Sequence, residues 1–179
     1  MPKQRKKLLL VDGYNVLRSG SRYQRIAGPD YTDDTFNTAR EALINDVVNY
    51  AGRDWRAVIV FDGAKNRFST GEAETVGVVR IVFSPAGQSA DKVIEKLAHD
   101  ARERQVETLV VTSDATIQDT VFGNGVDRMS ADGFSHEVTL YYEDARLDET
   151  PKVAEKNTVA ARIDPATLAK LQALRDRAR

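Results

Sequence analysis

Short apolar runs that alternate with helical patterns are the feature that most constrains the fold of this chain. Residues 8–11, 57–61 and 108–112 form short, largely apolar runs, as expected for strands that are covered on both faces of a sheet. Patterns with helical spacing lie between them. Strands that alternate with helices in this way predict an α/β fold, a three-layer α/β/α sandwich around a mostly parallel central sheet.

The remaining elements follow from periodicity and from start and stop signals. They divide the chain into one α/β domain over residues 1–146, a polar linker over 147–163 and a C-terminal helix over 164–179. Within the domain we predict helices over 35–51, 89–104, 114–122 and 130–146, a further strand over 76–83, and polar connections over 20–34 and 63–74.

Four aspartates stand where a strand ends or a helix begins. Asp12 and Asp62 close the first two apolar runs, Asp114 follows the run at 108–112, and Asp91 opens a helical pattern. The carboxyl ends of parallel strands share one edge of a sheet, where ligands bind. Carboxylates gathered there repel one another unless they hold protons or a cation. The sequence therefore predicts a site for a divalent metal with oxygen ligands, such as Mg²⁺.

Basic side chains follow two of these acids closely, although the net charge of the whole chain is only −1. Basic groups beside an acidic metal site suit a substrate with a phosphate backbone. The chain has two histidines, which favours a metal-activated water over histidine acid–base chemistry. The candidate substrate-binding residues are Asn15, Arg18, Arg22, Lys65 and Arg67.

Composition excludes several other classes of site. Cysteine is absent, which excludes disulfides, thiolate zinc sites and a cysteine nucleophile. No apolar run approaches the roughly 20 residues that a membrane-spanning helix needs, and the run at 8–11 is too short for a signal peptide. We therefore expect a cytoplasmic protein with no membrane partner.

Several motifs together resemble one family. They are Leu-Leu-Val-Asp-Gly-Tyr-Asn at 9–15, Val-Phe-Asp-Gly at 60–63, Ser-Ala-Asp-Lys-Val-Ile-Glu-Lys-Leu at 89–97, Val-Thr-Ser-Asp at 111–114 and Phe-Gly-Asn-Gly at 122–125. In combination they resemble the YacP-like group of NYN-domain proteins, a branch of the PIN-like ribonucleases. The resemblance covers about residues 8–142.

The resemblance implies a PIN-like sandwich and an endoribonuclease that depends on Mg²⁺ or Mn²⁺. By position, Asp12, Asp91 and Asp114 are similar to the catalytic, metal-binding acids of the family, with Asp62 and Asn15 in support. For the YacP-like group it further implies that messenger RNA is cleaved in association with the translating ribosome, so RNA and the ribosome are the expected partners.

Two other functions remain open. The first is an RNA- or ribosome-binding module whose acids no longer catalyse; the presence of every key acid argues against it. The second is a magnesium-dependent phosphohydrolase that acts on small molecules. It would share the carboxylates at the sheet edge, but Gly13 and Tyr14 follow Asp12 where an Asp-x-Asp nucleophile pair would stand.

Overall fold

A sheet whose central strands are apolar and buried on both sides forms the centre of the molecule. The computed structural model describes residues 6–63, 73–117, 123 and 125–149. Within these residues the strands are β1 (Lys7–Asp12), β2 (Trp55–Phe61), β3 (Ala73–Val76), β4 (Val79–Phe83), β5 (Thr108–Val111) and β6 (Val126–Met129). They form one sheet in the order β3-β4-β2-β1-β5-β6, and every neighbouring pair except β3–β4 is parallel.

Helices follow most of the parallel strands and cover the sheet. Asp12 caps the first helix with its side chain, and Thr32 caps the third through a reciprocal capping box with Thr35. These caps satisfy backbone N–H groups that have no partner inside a helix. The helices are α1 (Gly13–Ser19), α2 (Ser21–Ala27), α3 (Asp33–Ala51), α4 (Ala90–Glu103) and α5 (Ala131–Glu149).

Two hydrophobic cores lie on opposite faces of the sheet. Leu9 and Val11 of β1 face a core that includes residues of α1, α2, α3 and α5. Leu10, between them, faces a second core with Ile94 and Ala98 of α4. Successive side chains of a strand point to opposite faces, so a continuous apolar run supplies both cores. The predicted three-layer α/β/α sandwich with a mostly parallel sheet is confirmed.

The first difference from the predicted elements lies in residues 20–34. We predicted a polar connection there, but the structure contains the helix α2. Its Tyr23 and Ala27 are buried, whereas most of its other residues are polar. Two buried positions spaced by one turn are too few to produce a recognisable apolar stripe.

The other differences concern the edges of the sheet and the end of α5. We predicted a single strand over 76–83, but this range contains the last residue of β3, a turn and the whole of β4. Gly77, with a φ of 59°, lies in the turn between the two strands. Strand β6 was not predicted. Helix α5 continues past residue 146 to Glu149, so the predicted linker begins in helical residues. Residues 64–72 and 118–122, the rest of the linker and the predicted helix over 164–179 lie outside the described residues.

The chain divides into two compact units, Met1–Tyr142 and Glu143–Arg179. The sheet and the four predicted acids belong to the first unit. In the part of the chain that the structure describes, we find no helix with the length and apolar character required to cross a membrane.

Candidate metal-binding and catalytic site

The strand order reverses between β1 and β5, which is where open α/β sheets form a crevice for ligands. Strand β2 pairs with one side of β1, and β5, which comes later in the sequence, pairs with the other side. Ligands of open α/β sheets bind where the strand order reverses in this way, outside the carboxyl ends of the strands. Asp12 is the last residue of β1, and Asp114 follows the end of β5. Two predicted site residues therefore flank this crevice.

Asp12 is held at the mouth of the crevice by two hydrogen bonds. Its Oδ1 accepts from the backbone N–H of Asn15 at 3.3 Å, and its Oδ2 accepts from the hydroxyl of Thr112 at 3.3 Å. Only 6% of the residue is exposed. Burial raises the pKa of Asp12 from 3.8 to about 6; the nearby charges of Asp91 and Asp114 also raise it, while the two hydrogen bonds oppose the shift.

The residue after Asp12 has to be glycine. A Cβ placed on Gly13 would lie 2.4 Å from Cε1 of Phe61, which is closer than two non-bonded carbon atoms can approach. Phe61 is fully buried at the end of β2, so its ring has little room to move away. The glycine lets α1 begin directly against the sheet and fixes the position of Asp12.

Asp114 is bound by its own turn. Its Oδ1 accepts hydrogen bonds from the backbone N–H of Thr116 at 2.9 Å and from the Thr116 hydroxyl at 2.7 Å. These bonds lower the pKa of Asp114 below its usual range, so its carboxylate is ionised at neutral pH. The backbone N–H of Asp114 donates to the Thr112 hydroxyl at 3.1 Å. Thr112 therefore links Asp12 to Asp114.

Asp91 and Asp62 complete the acidic edge. Asp91 lies in the first turn of α4. Burial raises its pKa, and the charges of Asp114, Glu95 and Asp62 raise it further. Asp62 is exposed at the end of β2, where its Oδ1 lies 3.5 Å from the Ser84 hydroxyl. Asp12, Asp91 and Asp114 therefore act on one another electrostatically, and Asp62 acts on Asp91.

The spacing of these acids decides how an ion would be held. Among the described residues, no three acidic or histidine side chains are close enough to hold a metal ion together. Mg²⁺ commonly keeps several of its waters and binds through one or two carboxylates and substrate phosphates. Asp12, Asp91 and Asp114 would therefore hold a Mg²⁺ or Mn²⁺ ion through one or two carboxylates at a time, with waters completing its shell. They do not fit a cage made only of protein ligands.

The predicted substrate-binding residues have different environments. Arg18 is exposed on α1, with its guanidinium carbon 6.0 Å from the centre of the Tyr14 ring. Asn15 Oδ1 accepts the backbone N–H of Ser113 at 2.7 Å, which ties α1 to the segment after β5. Arg22 donates through Nε to Oδ2 of Asp46 at 2.7 Å.

This ion pair connects Arg22 to a buried network in the core. Asp46 is 2% exposed and also accepts hydrogen bonds from the hydroxyls of Tyr23 and Tyr142, each at 3.0 Å. We therefore assign Arg22 a structural role. The predicted Lys65 and Arg67 lie outside the described residues.

Two residues that the structure brings to the site were not predicted from the sequence. Thr112 was treated only as the end of a strand, and its position between an apolar run and Ser113-Asp114 was the available signal. Arg128 on β6 donates through Nε to the carbonyl of Thr112 at 3.1 Å and is exposed. Because β6 itself was not predicted, Arg128 could not be placed.

Comparisons with known proteins agree with this architecture. The family model described as YacP-like NYN domain matches residues 9–176, nearly the whole chain. The chain belongs to the YacP-like NYN domain family. The YacP protein of Bacillus subtilis (strain 168) is 32% identical over 131 residues, which cover 73% of this chain and 74% of YacP.

Solved structures of the same relative share the fold. The crystal structure of Rae1 (YacP) from Bacillus subtilis superposes with a TM-score of 0.62 at 26% identity, over 95% of each chain. The crystal structure of a mutant form of Rae1 gives a TM-score of 0.61 at 28% identity, over 83% of this chain and 87% of that one. Membership of this NYN family is consistent with a nuclease-like, PIN-type fold.

Proposed function

We propose that this protein is a divalent-metal-dependent endoribonuclease with Asp12, Asp91 and Asp114 as its catalytic acids. One observation carries the proposal. These acids come from separate strands and a helix and repel one another at the crevice between β1 and β5, where burial, together with this repulsion, raises the pKa of Asp12 to about 6. None of the three forms an ion pair within the described ranges. A bound cation would relieve this repulsion.

Each residue of the site has a part in the reaction. Bound Mg²⁺ or Mn²⁺ supplies an activated water and stabilises charge on the leaving oxygen. Asp12, Asp91 and Asp114 would hold the hydrated ion, in part through its waters, with Asp62 as a further acid. Asn15 and Thr112 are positioning residues, because their hydrogen bonds fix the two sides of the crevice.

The substrate is placed by nearby basic groups. Guanidinium groups bind phosphate oxygens with charge-assisted hydrogen bonds, and Arg18 and Arg128 are exposed beside the crevice. We propose messenger RNA, cleaved in association with the translating ribosome, as the substrate. The support for this step is the resemblance of the motifs to the YacP-like group, and it implies a cytoplasmic location.

One observation favours a second candidate function. The absence of three close metal-binding side chains within the described residues would also suit an RNA- or ribosome-binding module that no longer cleaves. The two candidates differ in one measurable property, because only the nuclease depends on a metal for its effect on RNA.

A cleavage assay on labelled messenger RNA, with and without translating ribosomes, tests the proposal. Wild-type protein should cut in Mg²⁺ or Mn²⁺ and stop in EDTA. Asp91→Asn should lower the cleavage rate by about 100-fold or more, since replacing even a residue that only orients a metal ligand lowers metal affinity or activity by about 10- to 100-fold. Asp100→Asn is the matched control, because Asp100 is an exposed acid on the same helix; it should cut normally.

Two outcomes would count against a nuclease. Binding of RNA or ribosomes without chelator-sensitive cleavage would support the binding module. Full activity in the Asp12→Asn, Asp91→Asn double variant would refute the assignment of the acids.

A further inference from the structure

A continuous row of aromatic rings lies beside the acidic edge. Consecutive rings in the row are close enough to touch: the centroids of Tyr31 and Phe36 are 5.8 Å apart, and those of Phe36 and Tyr14 are 5.6 Å apart. The row continues from Tyr14 to Phe61 at 5.1 Å and from Phe61 to Phe83 at 5.5 Å. We call these five residues the aromatic row.

The aromatic row follows the same sheet edge as the acids. Tyr14 stands two positions after Asp12, and Phe61 immediately precedes Asp62. Phe83 ends β4, which lies beside β2 in the sheet. A polymer bound with one phosphate at the acids would therefore have neighbouring units within reach of these rings.

Two arginines lie against the rings. The guanidinium carbon of Arg40 is 5.4 Å from the centre of the Phe61 ring and 5.6 Å from that of Phe83. Arg18 lies over Tyr14 in a similar way at 6.0 Å. Such contacts hold the planar guanidinium in a fixed orientation. Neither arginine forms an ion pair with any residue that the structure describes; Arg18 is exposed and Arg40 is partly buried.

Core packing accounts for only part of this arrangement. Phe61 is fully buried, and Tyr14, Phe36 and Phe83 pack against the core beside α1–α3. Packing does not account for Tyr31, which is 52% exposed at the end of the row. It also does not account for two arginines stacked on rings without a carboxylate partner among the described residues. An exposed ring together with positive charges is the combination that binds single-stranded nucleic acid.

We propose that the aromatic row, with Arg18 and Arg40, binds the single-stranded RNA that flanks the scissile phosphate; this inference rests on the proposed nuclease function. Tyr31 stacks on a base, and the two arginines contact backbone phosphates. Stacking needs an unpaired base with an accessible face, so the surface selects single strands over duplexes. Its preference among base sequences is weak, because every base has such a face.

Binding of a fluorescent single-stranded RNA of about 12 nucleotides, within the range of known single-strand sites, tests the proposal. Anisotropy is measured with the full chain in EDTA, which prevents cleavage. Tyr31→Ala should weaken binding by about 5- to 10-fold, the lower part of the range for loss of one stacked base. Tyr31→Phe keeps the ring and should bind like the wild type.

The contribution of Arg40 is tested by measuring how the affinity for RNA depends on the salt concentration. Arg40→Gln should weaken binding and reduce the slope of log affinity against log salt by about 0.7, as expected for one lost phosphate contact on a single strand. Tyr141→Ala and Arg56→Gln are matched controls, since Tyr141 is 46% exposed on α5 and Arg56 is exposed near the opposite end of β2. Both controls should bind like the wild type.

The outcomes separate this inference from the proposed function. Wild-type affinity in both Tyr31→Ala and Arg40→Gln would overturn the inference, as would equal affinity for a duplex or no binding of the RNA by the wild type. Metal-dependent cleavage that is lost in Asp91→Asn would still stand in those cases. Conversely, weakened binding in the two variants without any cleavage by the wild type would support the surface and refute the nuclease.

Discussion

Replacing Asp12 by asparagine should stabilise the metal-free protein at neutral pH. Asp12 is 6% exposed, and its pKa is raised from 3.8 to about 6 by burial, with the charges of Asp91 and Asp114 adding to the shift. The folded protein therefore holds a carboxylate whose ionised form is less stable there than in the unfolded chain. An amide has nearly the same shape and no charge, so the substitution removes this penalty.

The size of the expected stabilisation follows from the shift in the pKa of Asp12. One pKa unit corresponds to about 1.36 kcal/mol, so a shift from 3.8 to about 6 sets an upper limit of about 3 kcal/mol. The amide still accepts from Asn15 N–H, but its bonds are weaker than those of a carboxylate. We expect a net gain of about 1–2 kcal/mol in the free energy of unfolding, or about 3–6 °C in Tm for a domain of this size.

The pH dependence identifies the cause. A carboxyl group with a raised folded-state pKa destabilises the protein fully above that pKa, and the penalty disappears as the pH falls towards the unfolded-state pKa. The advantage of Asp12→Asn over wild type should therefore be complete at pH 7.5, shrink below about pH 6 and vanish near pH 4. Urea unfolding followed by circular dichroism in EDTA measures it at each pH.

A second buried aspartate provides the control. Asp46 is 2% exposed and is bound by Arg22 at 2.7 Å. Asp46→Asn breaks this ion pair and should destabilise the protein by about 2 kcal/mol or more, less than the 3–5 kcal/mol of fully buried pairs because Arg22 is partly exposed. The reasoning is refuted if Asp12→Asn is less stable than wild type at pH 7.5, or if its advantage is unchanged at pH 4.5.

Three further predictions concern the same region. Gly13→Ala places a methyl group against Phe61 and should destabilise the protein by about 1–3 kcal/mol, as overpacked cores do; urea unfolding measures this. Thr112→Val removes the buried hydroxyl between Asp12 and Asp114; it should lower cleavage and destabilise the protein by about 1–3 kcal/mol, and Thr112→Ser, which keeps the hydroxyl, should restore most of both. Saturating Mn²⁺ at 100 times its Kd should stabilise wild type by about 2.7 kcal/mol; the same increase in Asp12→Asn would contradict the proposed ligand.

The central strands were predictable because burial on both faces leaves a continuous apolar run. The edge strands lack that signal. All four residues of β3 are exposed, and β6 contains Asp127 and Arg128, which are also exposed. A strand at an edge needs only one neighbour and tolerates polar side chains, so its position depends on pairing with β4 or β5. That pairing is tertiary information, which the local pattern does not contain.

The candidate site was predictable to the extent that it depends on strand ends. Asp12, Asp62 and Asp114 were identified because parallel strands bring the residues that end or follow them to one edge of the sheet. The partners of polar side chains were not predictable. Arg22 pairs with Asp46, which is 24 positions away on α3. Thr112 bonds to Asp12 across 100 positions. Such contacts arise from the packing of helices on the sheet and leave no local pattern.

The hydrogen bonds around the crevice make the repulsion between Asp12 and Asp114 a fixed property of the fold. Asn15 joins α1 to Ser113, and the Ser113 hydroxyl accepts the backbone N–H of Ala131 at the start of α5. Thr112 joins Asp12 to the segment that carries Asp114. Asp12 and Asp114 cannot move apart without breaking these bonds, so the repulsion between them persists until a cation or a proton relieves it. This is why stability in EDTA and cleavage in Mg²⁺ should respond to Asp12→Asn in opposite directions.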